Sequence, residues 1–196
     1  MKFIPYGKQS INKDDIDAVV KVLKSDFLTQ GPQIERFEKE VGKVVSCLYS
    51  VAVNSATSAL HISCLALDLK KDDFVWTSPN SFVASANCAL YCNAKIDFVD
   101  IDPETWCMCP KSLEKKLINN MSKNLPMPKI VIPVHLAGQS CDMISIKKLS
   151  NKYGFKILED ASHAIGSKYL ICSLRSIFIT SLYWGDSSIP FSEEVK

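Results

Sequence analysis

From Tyr49 to Glu159 the chain alternates short apolar runs with longer amphipathic stretches, a rhythm few folds can absorb. A run of four or five residues rich in β-branched and aromatic side chains suits a strand covered on both faces, and a longer stretch with a helical apolar period suits a helix lying across it. The alternation therefore predicts strand-helix-strand units and an α/β fold with a mostly parallel sheet and helices on both faces. Strands are expected at Tyr49–Val53, Phe74–Thr77, Lys95–Val99, Ile130–Val134 and Phe155–Glu159, and helices at Ala56–Leu67, Ser81–Tyr91, Pro110–Ile118 and Asp142–Tyr153.

Ahead of this pattern, Ile16, Val19, Val20 and Leu23 recur at helical spacing, with Asn12 placed to cap and Asp14 and Asp15 in the first turn. Ser25 to Pro32 interrupts the period, which resumes through Ile34, Phe37 and Val41 up to Gly42. The interruption reads as a structured loop between two helices.

Composition narrows the partners. With 47% hydrophobic residues in 196, the chain has enough apolar side chain to bury a substantial core. Its 23 basic and 21 acidic residues are interspersed without a basic block, so the pattern gives no footprint for nucleic acid or an anionic membrane. No apolar run approaches the ~20 residues of a spanning helix, and Met1 to Gly7 lacks the apolar core of a signal segment. The eight cysteines are accordingly read as free thiols of a cytoplasmic protein, with Cys47, Cys64, Cys88 and Cys92 as buried small hydrophobes. Cys107 and Cys109 have no second cysteine or histidine pair nearby, and the three histidines are dispersed, so no metal site is expected.

Ligands of open α/β sheets gather beyond the carboxyl ends of the strands, where two junctions stand out. After the first, Asn54-Ser-Ala-Thr-Ser58 opens a helix whose free N–H groups and dipole favour a phosphate. An ordinary N-cap by Asn54 or Ser55 accounts for the same residues. At the second, Asp160 ends an apolar strand, where a carboxylate could hold a pyridine nitrogen protonated, or merely cap the turn that follows. Alternation sends Glu159 to the opposite face. Phe82, near the start of a helix, could lie on a flat cofactor or belong to the core. His163 is near enough in sequence to bond Asp160 or a cofactor oxygen, His135 reads as satisfying a buried backbone group, and His61 as structural. Together the two junctions suggest pyridoxal phosphate.

Several blocks in order carry a resemblance: Ile4-Pro-Tyr-Gly-Lys-Gln9, Asp26-Phe-Leu-Thr-Gln-Gly-Pro32, Val53-Asn-Ser-Ala-Thr-Ser-Ala-Leu60, Ser81-Phe-Val-Ala-Ser-Ala-Asn87, Phe98-Val-Asp-Ile-Asp102, Pro133-Val-His-Leu-Ala-Gly138 and Glu159-Asp-Ala-Ser-His-Ala-Ile-Gly166. The chain resembles the DegT/DnrJ/EryC1/StrS group of pyridoxal-phosphate nucleotide-sugar aminotransferases. Within that group it is most similar to the transaminase of pseudaminic acid synthesis, which aminates C4 of a UDP-linked 4-keto-6-deoxy-N-acetylhexosamine with glutamate as donor. The resemblance implies the large domain of an aspartate-aminotransferase-like (fold type I) enzyme and a homodimer. It also implies residue roles: Ala56 and Thr57 at the cofactor phosphate, Phe82 stacked on the pyridine ring, Asp160 at its nitrogen and His163 beside it. Asp26, Leu28, Thr29 and Gln30 match a loop near the sugar nucleotide.

The family's Schiff-base lysine lies in a later segment reading like Phe-Ser-Phe-His-Pro-x-Lys, which does not appear in these 196 residues. Phe191-Ser-Glu-Glu-Val-Lys196 lacks the histidine and has a serine-to-lysine spacing one residue short, and Lys168 matches no catalytic position. Residues 1–169 are thus expected to form a C-terminally truncated aminotransferase large domain, with 170–196 a divergent tail arising from a frameshift. Without the lysine, transaminase activity is expected to be negligible. Alternatives are a non-catalytic binding or dimerising module, or part of a sugar dehydratase of the same fold in which histidine replaces the lysine. A Rossmann domain is disfavoured because no Gly-x-Gly-x-x-Gly follows any expected strand.

Overall fold

A computed structural model describes residues 9–165, Ser167 and the backbone of Ile177–Ile179. Lys168, Lys196, the first eight residues and most of the expected tail lie outside the described residues. The chain forms two compact units, one within Met1–Ala52 and the other within Val53–Ser181.

The first unit holds α1 (Lys13–Leu23) and α2 (Pro32–Val44). The cap expected at Asn12 forms as a reciprocal box: its side chain accepts from Asp14 and Asp15 N–H, and the Asp15 carboxylate accepts from Asn12 N–H. Gly31 closes the loop before α2 at φ +152°, and a Cβ there would stand 2.6 Å from Phe27 Cβ. Only glycine fits that approach. The strand expected at Tyr49–Val53 does not form, and Tyr49 and Val51 are exposed. An apolar run becomes a strand only where a neighbour pairs with it, and among the described residues none does. Cys47 is exposed rather than buried, its thiol donating to Tyr49 C=O.

The second unit is a three-layer α/β assembly. Its elements run α3 (Ala56–Ala66), β1 (Phe74–Thr77), α4 (Ala84–Tyr91), β2 (Lys95–Phe98), α5 (Pro110–Ser122), β3 (Pro128–Ile132), α6 (Met143–Tyr153), β4 (Lys156–Asp160) and β5 (Ile177–Ile179). The strands pair in the order β2-β1-β3-β4-β5, all parallel. Alternation divides the core between the two faces. Val75, Ile130, Ile132 and Leu158 pack with Leu60 and Cys64 of α3 and Ala84, Cys88 and Ala89 of α4. Trp76, Val131 and Ile157 pack with Leu113 and Leu117 of α5 and Ile146 and Leu149 of α6.

Most expected boundaries fall within a residue or two of those observed. Helix α5 runs a turn further than its apolar period, to Ser122, because Asn120 is buried and donates from Nδ2 to Pro126 C=O at 2.7 Å. Helix α4 starts later than Ser81, at Ala84, after a tighter turn in which Ser85 N–H bonds Phe82 C=O and Ala86 N–H bonds Val83 C=O. Among the described residues no helix is long and apolar enough to cross a membrane.

Candidate functional site

Asp160 is the last residue of β4 and is braced there on the β3 side. Its N–H donates to Pro133 C=O at 3.0 Å, its C=O accepts from His135 N–H at 2.9 Å, and Val134 bridges to it in parallel. The side chain shares the face of Leu158, the side covered by α3 and α4. It is 5% exposed. Burying a carboxylate is costly unless donors replace water, and three do. Ser85 Oγ donates to Oδ2 at 2.7 Å; Ser162 N–H and Oγ donate to Oδ1 at 3.2 and 2.6 Å. Among the described residues no cation forms an ion pair with it.

Glu159 points the other way, as alternation requires. Its Oε2 lies 3.0 Å from Nε2 of buried His135, whose Nδ1 accepts from Cys141 N–H at 3.1 Å. His135 thus satisfies a backbone group, as expected from the sequence, and also ties the loop after β3 to β4. The loop itself depends on Gly138, at φ +87°, where a Cβ would stand 3.1 Å from His163 C=O. Close by, the Cys141 thiol donates to Val134 C=O at 3.2 Å and the Cys107 thiol to Gln139 C=O at 3.3 Å. The two neighbouring sulfurs act on each other, lowering the Cys107 thiol from its ordinary pKa and pushing that of Cys141 up.

The second junction is the start of α3. Ser55 caps it, its Oγ accepting from Ser58 N–H at 3.2 Å and lying 3.1 Å from Ser58 Oγ. In the first turn, the N–H groups of Ala56 and Thr57 have no helical carbonyl to bond, and the side chains are small and half-buried. The ordinary N-cap and a phosphate-binding turn therefore coexist: Ser55 fills the cap, and the free N–H ends remain available to an anion. Phe82 is 73% exposed, so it is not a core residue. It stands one helical turn before Ser85, the residue bonded to Asp160. His163 is exposed in the turn after β4.

Asp160, Phe82 and the start of α3 thus belong to one unit and one side of the sheet. Asp26, Leu28, Thr29 and Gln30 lie in the other unit, all exposed in the loop between α1 and α2. Sequence reasoning missed Ser85 and Ser162. The signal available was a serine between Ala84 and Ala86 on a helix otherwise lined with Ala and Cys. A groove of about 410 Å³ near Lys147, Asn151, Gly154 and Lys156 lies at the opposite, amino end of β4 and contributes nothing to this arrangement.

The chain is similar to several known proteins. SpsC of Bacillus subtilis, a spore coat polysaccharide biosynthesis protein, is 38% identical over 167 residues, covering 85% of this chain and 41% of SpsC. Among solved structures, NtdA from Bacillus subtilis with bound cofactor PMP is 34% identical with a TM-score of 0.72, over 80% of this chain and 35% of NtdA. An aminotransferase from Psychrobacter cryohalolentis is 29% identical with a TM-score of 0.74, over 84% of this chain and 41% of its own. The chain therefore spans about two fifths of the length of such relatives. The family model for the DegT/DnrJ/EryC1/StrS aminotransferases matches residues 9–183, running past Tyr169 through the segment in which β5 lies. The chain belongs to the DegT/DnrJ/EryC1/StrS aminotransferase family.

Proposed function

We propose that this chain is the cofactor-binding part of a pyridoxal-phosphate-dependent sugar aminotransferase. The observation that carries the reading is the buried Asp160 carboxylate, which among the described residues is held only by neutral donors. A carboxylate has about four acceptor positions, and donors among the described residues fill three; on Oδ2 that leaves one for a further N–H. A protonated pyridine nitrogen is the donor that matches, because its positive charge would also balance the buried anion. The other residues fit the rest of the molecule. Ala56 and Thr57 would bind the phosphate through their N–H groups, Phe82 would cover a face of the ring, and His163 would flank it. Bound there, the cofactor would supply an electron-withdrawing ring that stabilises a carbanion. Asp160 keeps the ring nitrogen protonated, and Phe82 shields the ring from water.

The resemblance supports a finer version. The acceptor is a UDP-linked 4-keto-6-deoxy-N-acetylhexosamine aminated at C4, the donor is glutamate, and the exposed loop with Asp26, Leu28, Thr29 and Gln30 meets the sugar nucleotide, in a cytoplasmic homodimer. Residues 1–169 belong to the family large domain, and the family match carries that domain on to residue 183 rather than ending it at Tyr169. A polypeptide of these 196 residues alone lacks the histidine-bearing lysine segment of its family, so we assign it binding without turnover.

The test is a titration of the purified chain with pyridoxamine phosphate, which lacks the aldehyde that would label surface lysines, followed by absorbance and tryptophan fluorescence. Saturable 1:1 binding is expected, weakened about tenfold or more by Asp160→Asn and by Phe82→Ala. Equal affinity for Asp160→Asn and the parent chain would sink the reading.

A further inference from the structure

We propose that Ser85, backed by Ser81, is a positioning residue that aims the Asp160 carboxylate and locks it to the turn bearing Phe82. The inference rests on the cofactor reading above and adds a residue that the family comparison does not assign. Ser85 is fully buried in the first turn of α4, on the helix whose Ala84, Cys88 and Ala89 join Leu60 and Leu158 in an apolar cluster. Packing alone would be met by alanine, as at its neighbours. A buried hydroxyl needs partners, and Ser85 has two: Asp160 Oδ2 at 2.7 Å and Ser81 Oγ at 2.7 Å.

The geometry gives Ser85 a task that Ser162 cannot perform. Ser162 holds Oδ1 from the turn following β4, two residues on in the chain. Ser85 holds Oδ2 from α4, 75 residues away. With only the local bonds the carboxylate could turn about its terminal torsion, which is broad for aspartate. The bond from Ser85 fixes the plane and hence the direction of the last acceptor position on Oδ2. The same turn presents Phe82, whose C=O accepts from Ser85 N–H at 3.2 Å and lies 3.2 Å from Ser81 Oγ, whose single proton is shared between that carbonyl and Ser85 Oγ. The group for the ring nitrogen and the group for the ring face are therefore held by one hydrogen-bonded turn. When Ser81 donates to Ser85, it also polarises the Ser85 O–H toward the carboxylate.

The experiment uses the full chain and pyridoxamine phosphate, comparing the parent with Ser85→Ala, Ser85→Thr and Asp160→Asn. Two quantities are read: affinity, and the pH at which the absorbance of the bound ring reports loss of the nitrogen proton. Ser85→Ala, expected to fold because alanine suits a helix, should weaken binding about tenfold and lower that pH, with Ser85→Thr restoring both. Combined with Asp160→Asn, Ser85→Ala should add little further loss, because the two act as a unit. An unchanged pH midpoint in Ser85→Ala, or full additivity with Asp160→Asn, overturns the proposal while leaving the cofactor reading intact. Failure of the parent chain to bind at all removes both, since Asp160 would then have no ring nitrogen to meet.

Discussion

His135 Nε2 lies 3.0 Å from Glu159 Oε2 in the interior, on the side of the sheet away from Asp160. Because Nδ1 accepts from Cys141 N–H, the ring proton is assigned to Nε2 and is donated to the carboxylate. Adjacent acids on one strand thus have separate duties: Glu159 braces the loop after β3, and Asp160 faces the candidate cofactor site.

Separation of the faces predicts separable phenotypes. Glu159→Ala leaves a buried histidine without its acceptor and should cost about 2 to 4 kcal/mol in urea unfolding, whereas Glu159→Gln, which can still accept, should cost under about 1 kcal/mol. Pyridoxamine phosphate affinity of the Gln variant should match the parent. A Gln variant with strongly weakened binding would contradict the assignment.

Gly138 carries a second, backbone-level prediction. At φ +87° with His163 C=O 3.1 Å from a built Cβ, Gly138→Ala imposes both a disfavoured conformation and a contact the carbonyl must yield to. A loss of about 1 to 3 kcal/mol is expected. Because the contact is to His163, hydrogen exchange should rise first in the turn after β4. Uniform loss of protection across the sheet would argue against a local effect.

Asp73 and Lys129 give the clearest pH dependence. Lys129 Nζ donates to Asp73 Oδ2 at 2.8 Å and also to the Asp68 carbonyl, tying β3 to the segment before β1. The lysine hydrogen bond holds the Asp73 carboxyl below its ordinary 3.8. A lowered native pKa contributes stability above the unfolded value, and that contribution is lost as pH falls below 3.8 through the native one. Both side chains are about a third exposed, so Asp73→Asn should cost only about 0.5 kcal/mol at neutral pH, and less in high salt. The difference from the parent should shrink on acidification; a gap that widens toward low pH would show the sign to be wrong.

The 196-residue polypeptide by itself should show no transamination above background in a coupled glutamate assay with a UDP-linked 4-keto sugar, even where it binds pyridoxamine phosphate. The family's lysine segment does not appear in these 196 residues, and amino transfer needs a group at the ring to move a proton. Measurable turnover by the purified chain, abolished by Asp160→Asn, would refute this.

Periodicity in the sequence was enough to determine the parallel α/β class, four strands of the sheet and the helices between them, because each apolar run had to be covered on both faces. It also separated Glu159 from Asp160, since strand geometry leaves no choice. It failed at Tyr49–Val53, where the apolar pattern lacks a pairing partner among the described residues, and at α5, whose last turn depends on Asn120 reaching Pro126. The blocks around Ala56, Phe82 and Asp160 were legible as motifs. What surrounds Asp160 was not: Ser85 stands 75 residues away and reads, locally, as one more small residue on a helix. Only the packing of α4 over β4 makes its hydroxyl a donor to a buried carboxylate, because a hydrogen bond between distant segments has no period to betray it.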